Sequence, residues 1–482
     1  MAKKSPAKAA KTPTRGARVE RDSLGEKSVP AESYYGIQTL RAVENFPVSG
    51  LKAHPALIRA YASIKKACAL ANQSLGKLDA MIADSIVQAS EEVLRGRYDD
   101  QFMVDVYQAG AGTSFNMNSN EVIANRAAEL LGEPRGEYRR VHPNDHVNMS
   151  QSTNDTFPTA SYIACLAQVR RLVPILDRLA DTFMAKGREF HSVVKSARTH
   201  LQDAVPITLG QEFSAYGAAV SACARELARR SELLRSVALG GTAAGTGANA
   251  SIEFRRLAIQ NLARITALPL VPAADPRMAL QSHQPLQALS SALKETALEL
   301  IRIANDLRLL ASGPMTGFAE ILLPAVQPGS SIMPGKVNPS ILECLNMICF
   351  QLVGRDAAVA LATQAGQMDL NVMTPLTAYN LLDSMELLIR FLPVVDKRCV
   401  AGISAEKERC RAYFEKSPSL AALLNPKIGY AKAAKVFKEA VASDLSIPEV
   451  ARKHGLLSPA EIKKLFDPRA VTGILDHDSS KP

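Results

Sequence analysis

Tryptophan is absent from this sequence, and aromatic residues make up only 5% of its 482 residues. Alanine and leucine are abundant instead, and hydrophobic residues reach 47%. Aromatic and β-branched residues favour strands, whereas Ala and Leu favour helices. The composition therefore predicts an all-α protein, and the length allows a large buried core with two or three domains.

Cysteines are few, and long hydrophobic runs are missing. The seven cysteines are scattered without any CxxC spacing, which is typical of reduced thiols rather than of disulfides or a zinc site. Charged residues interrupt every apolar run before the ~18 residues that a membrane span needs. The N-terminus also lacks the apolar core of a signal peptide. We expect a cytoplasmic protein with no membrane contact and no metal site.

Acidic residues are absent from the first 19 positions, which carry six Lys or Arg, more than half of the net charge of +10. A Pro/Ala/Lys segment of this kind cannot bury a core. We predict a disordered basic tail over residues 1–20 that is simply solvated. The alternative is that the tail contacts nucleic acid or an acidic partner, because a short basic arm needs only phosphates.

Helical periodicity and loop signals divide the rest of the chain. Residues 54–97 have apolar residues at helical spacing, and Gly, Asn, Ser and Thr cluster at 110–120 and 141–159. Several long helical windows follow up to about residue 400, and shorter, more charged segments come after it. We predict an N-terminal helical domain (21–155), a central helix bundle (156–400) and a small C-terminal helical domain (401–482).

Four polar patches interrupt this helical pattern, at 112–114, 152–154, 199–200 and 329–339. Each patch alone is typical of a helix cap or turn. Together, hydroxyls, amides and backbone N–H groups from several loops would suit a small dicarboxylate, with Lys336 as the point charge.

The stretch GSSIMPGKVNP (329–339) resembles the signature loop of the aspartase/fumarase superfamily. The resemblance runs from about residue 21 to 468 and includes HPNDHVNMSQSTND, RTHLQDAVPITLGQEF and AGQMDLNVM. It implies a three-domain, all-α subunit with a long central helix bundle. It also implies a homotetramer whose active sites are shared between subunits, and a reversible elimination that yields fumarate.

The resemblance assigns the chemistry residue by residue. Ser330 matches the general base that removes a proton beside a carboxylate, and the product of that step is a dianionic aci-carboxylate. Backbone N–H groups of the loop and Lys336 would favour the Ser330 alkoxide. Ser331 would hold the reacting carboxylate.

Other matched positions would bind the substrate. Thr113, Ser152 and Thr153 match positions for the β-carboxylate, and Thr199, Lys336 and Asn338 match positions for the other carboxylate. Asn154 and His200 would lie beside the leaving group, with Glu343 orienting His200. For His142 and His146, loop capping is at least as good an interpretation as ligand contact.

The subfamily features YYGIQTLRAVENF, THLQDAVP, STND and AGQMDLNVM favour elimination of ammonia from L-aspartate to give fumarate. Class II fumarate hydratase is the alternative, and a non-catalytic structural or nucleic-acid-binding relative is a third. Met315, Ala197 and Thr374 depart from the usual residues. No cofactor is required by this chemistry, and activation by a divalent cation such as Mg²⁺ is left open.

Overall fold

The computed structural model describes residues 16–473, and this part of the chain consists mainly of helices. Strands occur there only as two-stranded pairs, so the prediction of an all-α protein is confirmed. The helices are α1 (Ile37–Asn45), α2 (Pro55–Ser74), α3 (Ala80–Leu94), α4 (Thr113–Leu130), α5 (Thr153–Glu189), α6 (Leu209–Ser231), α7 (Ile252–Thr266), α8 (Pro276–Gln281), α9 (Gln284–Leu310), α10 (Ser340–Gln364), α11 (Thr374–Arg398), α12 (Lys407–Lys416), α13 (Asn425–Ile428), α14 (Tyr430–Ser443), α15 (Ile447–Lys453), α16 (Pro459–Leu465) and α17 (Pro468–Val471). The strand pairs are β1 (Ala17–Asp22) with β2 (Gly25–Pro30), β3 (Val194–Thr199) with β4 (Gln202–Thr208), β5 (Ser236–Val237) with β6 (Val271–Pro272), and β7 (Ile321–Leu322) with β8 (Ser404–Ala405).

The chain forms two compact units, each assembled from three segments. Among the described residues, the first contains 16–172, 226–294 and 351–387, and the second contains 173–225, 295–350 and 388–473. Edge-to-face aromatic contacts mark the core of each unit. They involve Tyr61, Phe115 and Phe157 in the first, and Phe190 with Phe213 in the second. The division into three domains stays a prediction.

The start of α2 follows from its local sequence. Pro55 occupies the first turn, and the His54 ring nitrogen accepts a hydrogen bond from the backbone N–H of Ala56 at 3.1 Å, as an N-cap should. The helical pattern predicted over 54–97 corresponds to two helices in the structure. Gly76 adopts a positive φ of 67° after α2, and Asp79 then caps α3 through the N–H groups of its first turn.

The predicted disordered tail over residues 1–20 extends further along the chain than the structure allows. Residues 1–15 lie outside the described residues, but β1 already begins at Ala17, so the boundary at residue 20 is wrong. The Arg18 guanidinium donates to the backbone carbonyls of Ala31, Ser33 and Tyr35. Glu20 is buried and accepts from the N–H of Ile37 at 2.8 Å. These contacts tie the segment to α1, which composition alone does not indicate.

All seven cysteines are free thiols, and five of them are buried. Burial raises the pKa of the buried Cys349 and Cys399 thiols to about 12. Among the described helices, α10 alone is long and apolar enough to cross a membrane by length and composition, and core helices of other proteins pass the same test.

Candidate active site

Thr113 stands at the first position of α4, in the first unit. The chain turns sharply before it, with Ala111 and Gly112 at φ values of 58° and 80°. The turn leaves the Thr113 side chain exposed at the helix N-terminus. Free N–H groups and the helix dipole favour an anion at such an end.

Gly112 is required at this turn for two reasons, and its replacement by Ala tests both. A Cβ atom there would lie 1.9 Å from Cδ2 of Phe157, and φ is left-handed. We expect Gly112→Ala to lower the free energy of unfolding by about 2–4 kcal/mol, from overpacking and backbone strain together. Gly132, after the other end of α4, has φ of 78° with open space around it.

Gly132→Ala is therefore the matched control, and strain alone should cost it only about 1 kcal/mol. Denaturant unfolding of both variants measures the difference. Equal losses in the two variants would contradict the packing argument.

Ser152, Thr153 and Asn154 form the start of α5, in the same unit as Thr113. Ser152 Oγ accepts from the N–H of Asn154 at 3.2 Å, so this residue caps the helix. Thr153 is its first helical residue. Two threonines thus begin two helices, and the helix dipole favours a carboxylate at each of these N-termini.

Asp155 stabilises the segment that begins α5. It was not among the site residues predicted from the sequence. Its carboxylate is fully buried and accepts from the backbone N–H groups of Ser152, Gly240 and Thr242 at 2.9–3.0 Å. Burial raises the pKa of Asp155 to about 6, although these three donors act in the opposite direction. The sequence feature that could have identified Asp155 is its position directly after the polar patch at 152–154.

The orientation of the Asn154 amide is determined by one contact. Its Nδ2 donates to the carbonyl oxygen of Ala243 at 2.8 Å. Since a carbonyl oxygen can only accept, the amide nitrogen must be the atom at that position, and Oδ1 is left as an acceptor. An ammonium group is the kind of donor that this oxygen suits.

His142 and His146 serve the loop before α5. His142 Nδ1 accepts from the N–H groups of Asn144 and Asp145 at 3.2 Å, at the start of a single π-helical turn over Pro143–Val147. His146 Nδ1 accepts from the N–H of His142 at 2.8 Å. The ring nitrogens engaged in these contacts cap the loop.

Thr199 and His200 lie at the tip of the β3–β4 hairpin in the second unit. His200 and Leu201 form its two-residue turn, each with φ of 56°, as a type I′ turn requires. Both Thr199 and His200 are exposed there. Ala197 sits where the strand register shifts, and its φ is not positive, so glycine is not required at this position.

A buried ion cluster supports this hairpin. The Glu320 carboxylate is fully buried and lies 2.9 Å from the Arg198 guanidinium and 2.7 Å from Lys195 Nζ. The Arg198 side chain also packs over the Phe318 ring at 4.0 Å. Glu320 thus restrains the residue directly before Thr199, and it too was missed in the sequence.

Two hydrogen bonds join the beginning of the loop over 329–339 to its end, and this joined region is called the neck. The Gly329 N–H donates to the carbonyl of Lys336 at 2.8 Å, and Asn338 Nδ2 donates to the carbonyl of Gly329. A Cβ atom at Gly329 would lie 2.5 Å from the Asn338 nitrogen, so only glycine fits. Ser331 and Lys336 are exposed on this loop.

Ser330 Oγ accepts from two backbone N–H groups of its own loop, those of Ile332 at 3.2 Å and Met333 at 2.9 Å. Two donors aimed at one hydroxyl oxygen favour its ionised form. The same two hydrogen bonds also stabilise a local turn. The geometry is therefore compatible both with a capping role for Ser330 and with its role as the general base.

Glu343 lies in the first turn of α10, 4.0 Å from the Arg308 guanidinium. Within the described part of the chain, Glu343 and His200 share no hydrogen bond. The predicted residues therefore form two sets. Thr113, Ser152, Thr153 and Asn154 belong to the first unit, and Thr199, His200, Ser330, Ser331, Lys336, Asn338 and Glu343 belong to the second.

The two remaining departures lie in different surroundings. Met315 is 85% exposed. Thr374 is buried at the start of α11, where its hydroxyl donates to the carbonyl of Asn371. No cluster of three or more potential metal ligands occurs among residues 16–473.

Comparison with known proteins places this geometry in a family. A family model described as "Lyase" matches residues 25–354, and one described as "Fumarase C C-terminus" matches residues 420–473. Aspartate ammonia-lyase of Bacillus sp is 46% identical over 94% of this chain and 97% of its own length. Aspartate ammonia-lyase of Pseudomonas aeruginosa is 48% identical over 95% and 97%.

Fumarases are also similar to this chain. Class II fumarate hydratase of Thermosynechococcus vestitus is 46% identical over 94% of this chain and 97% of its own. Among solved structures, a fumarate lyase:delta crystallin from Brucella melitensis bound to cobalt is 50% identical, with a TM-score of 0.92 over 95% of this chain and 99% of that one. The class II fumarase of Schistosoma mansoni is 37% identical, with the same TM-score and coverage. The near-complete match in sequence and fold confirms the predicted family, and the chain belongs to the aspartase/fumarase superfamily of lyases.

Proposed function

We propose that this protein is an aspartate ammonia-lyase, a carbon–nitrogen lyase that interconverts L-aspartate with fumarate and ammonia. Several aspartate ammonia-lyases match it at 45–48% identity over nearly their whole length. A class II fumarase matches at 46%, so overall identity does not separate the two activities. The choice rests on the subfamily features YYGIQTLRAVENF, THLQDAVP, STND and AGQMDLNVM, and Asn154 agrees with it, because the contact to Ala243 leaves its Oδ1 as an acceptor for an ammonium group.

In the proposed reaction, the Ser330 alkoxide removes a proton from Cβ of aspartate. The C–H electron pair moves into the neighbouring carboxylate to give the dianionic aci-carboxylate. Thr113, Ser152 and Thr153, at the N-termini of α4 and α5, would stabilise this charge. The electrons then return to form the Cα–Cβ double bond, and the C–N bond breaks with its pair going to nitrogen, so that ammonia leaves.

The other carboxylate would be held by Thr199, Lys336 and Asn338, and His200 would face the leaving ammonia with Glu343 as its orienting partner. The neck contact of Asn338 already engages its Nδ2. That hydrogen bond uses one of the two Nδ2 hydrogens, so the second can donate to the substrate carboxylate.

Steady-state assays with L-aspartate and with L-malate, following the ultraviolet absorbance of fumarate, test the activity. We expect fumarate from aspartate and little or none from malate. Ready hydration of fumarate without ammonia, together with no aspartate formed when ammonia is added, would replace this proposal with class II fumarase.

We also propose that the protein is a cytoplasmic homotetramer with sites shared between subunits. Support comes from α10, which exposes large apolar side chains on one face. Met347 is 64% exposed, Phe350 57% and Leu361 69%. Phe350 and Leu361 follow Met347 by three and fourteen residues, which places all three along one stripe of the helix. An exposed apolar stripe of this kind marks an association surface.

Phe350→Glu tests this assembly. A carboxylate buried in a subunit interface lacks a partner and water, so we expect dissociation and loss of most of the activity. Phe437→Glu is the matched control, since Phe437 is a 38% exposed phenylalanine on α14. Sedimentation and activity of both variants are compared. A fully active monomer would refute the shared site.

A further inference from the structure

Lys65 is a lysine buried completely inside the first unit, on α2. Its ammonium donates to three side-chain amide oxygens, Asn116 Oδ1 at 2.9 Å, Asn148 Oδ1 at 3.0 Å and Gln151 Oε1 at 2.9 Å. These three acceptors account for all three of its N–H donors. No carboxylate lies within ion-pairing distance of Lys65 in the described part of the chain.

The three acceptors come from segments that carry the proposed substrate-binding residues. Asn116 lies one turn after Thr113 on α4. Gln151 directly precedes Ser152. Asn148 follows the π-helical turn, and its Oδ1 also accepts from Asn116 Nδ2 at 3.3 Å. One ammonium therefore joins the start of α4 to the loop that starts α5.

Burial of the Lys65 ammonium carries a free-energy cost. Taking an ammonium out of water without a paired carboxylate is unfavourable, and burial lowers the pKa of Lys65 to about 7. Asp155 on α5 and Cys68 on α2 act on it in the opposite direction. A residue kept for packing alone would be apolar, so the three hydrogen bonds need another explanation.

We propose that Lys65 is a positioning residue for the reaction. It sets the distance and orientation between Thr113 and the segment 152–154, so that both threonine-bearing helix ends meet one carboxylate. This inference rests on the proposed function. The charge on that carboxylate grows in the transition state, so a small misalignment there affects turnover more than substrate binding.

The experiment compares Lys65→Met with Lys66→Met. Lys66 is the adjacent lysine on α2, and it pairs with Glu91 at 2.8 Å near the surface instead. Each variant is checked for folding, and its sites are counted by binding of the dicarboxylate succinate. Turnover per succinate-binding site and KM are then measured with L-aspartate.

We expect kcat per site of Lys65→Met to fall roughly 30-fold, with KM and succinate affinity changed only about threefold. Misplaced substrate-binding groups have this effect, because they stabilise the transition state less well. Lys66→Met should stay close to the wild type. A merely structural role would lower the number of binding sites or the stability and leave kcat per site unchanged, and that result would overturn the proposal.

Lys65→Gln provides a second variant if Lys65→Met does not fold. Its amide keeps two donors but is too short to reach all three oxygens, and the same loss in kcat per site is expected. Failure of both variants to fold would make Lys65 a structural residue and end the proposal. If the wild type and Lys66→Met bind succinate but do not deaminate aspartate, the proposed function fails instead.

Discussion

Replacing Ser330 by Ala should lower turnover of L-aspartate by ~10³-fold or more, because it removes the proposed base. The structure adds a reason for its reactivity, since two backbone N–H groups already point at Ser330 Oγ. The donors proposed for the carboxylates belong to other residues. Dicarboxylate inhibitors should therefore still bind, with an affinity close to that of the wild type.

Ser443→Ala is the control for this substitution. Ser443 lies on α14 and its hydroxyl donates to the carbonyl of Glu439. Turnover by stopped assay and inhibitor binding by calorimetry are measured on both variants. Near-normal turnover in Ser330→Ala would show that another group takes the proton.

Asn154→Ala should lower kcat/KM for L-aspartate by ~10²-fold or more, because the ammonium loses an acceptor in a site built around it. The contact of Nδ2 with Ala243 leaves Oδ1 as an acceptor. Malate presents a hydroxyl at the same place, so the wild type should favour aspartate over malate by a factor of a similar order.

Asn45→Ala is a matched control at the exposed end of α1. Both variants are assayed with aspartate and with malate. Equal small effects of the two substitutions on aspartate would remove Asn154 from the leaving-group site. A wild type that prefers malate would contradict the ammonium argument itself.

The amino-acid sequence was sufficient for features that depend on neighbours along the chain. Apolar residues at helical spacing predicted the long helices, and the start of α16 follows from Ser458 as its N-cap and Pro459 as its first residue. The loop over 329–339 identified the family without any contact being known. These signals are local, because a helix, a cap or a tight loop is decided by residues within about one turn of each other.

Tertiary structure alone decided what supports the candidate site. Lys65 donates to residues 51 to 86 positions away, Asp155 accepts from Gly240 and Thr242, 85 and 87 positions away, and Glu320 accepts from Arg198, 122 positions away. Nothing in the local sequence indicates these distant partners. The same holds for the Asn154 amide, whose direction depends on Ala243, 89 residues along the chain. A buried polar group must find its partner wherever the packed chain brings one, so its role follows from the packing and not from its neighbours in the sequence.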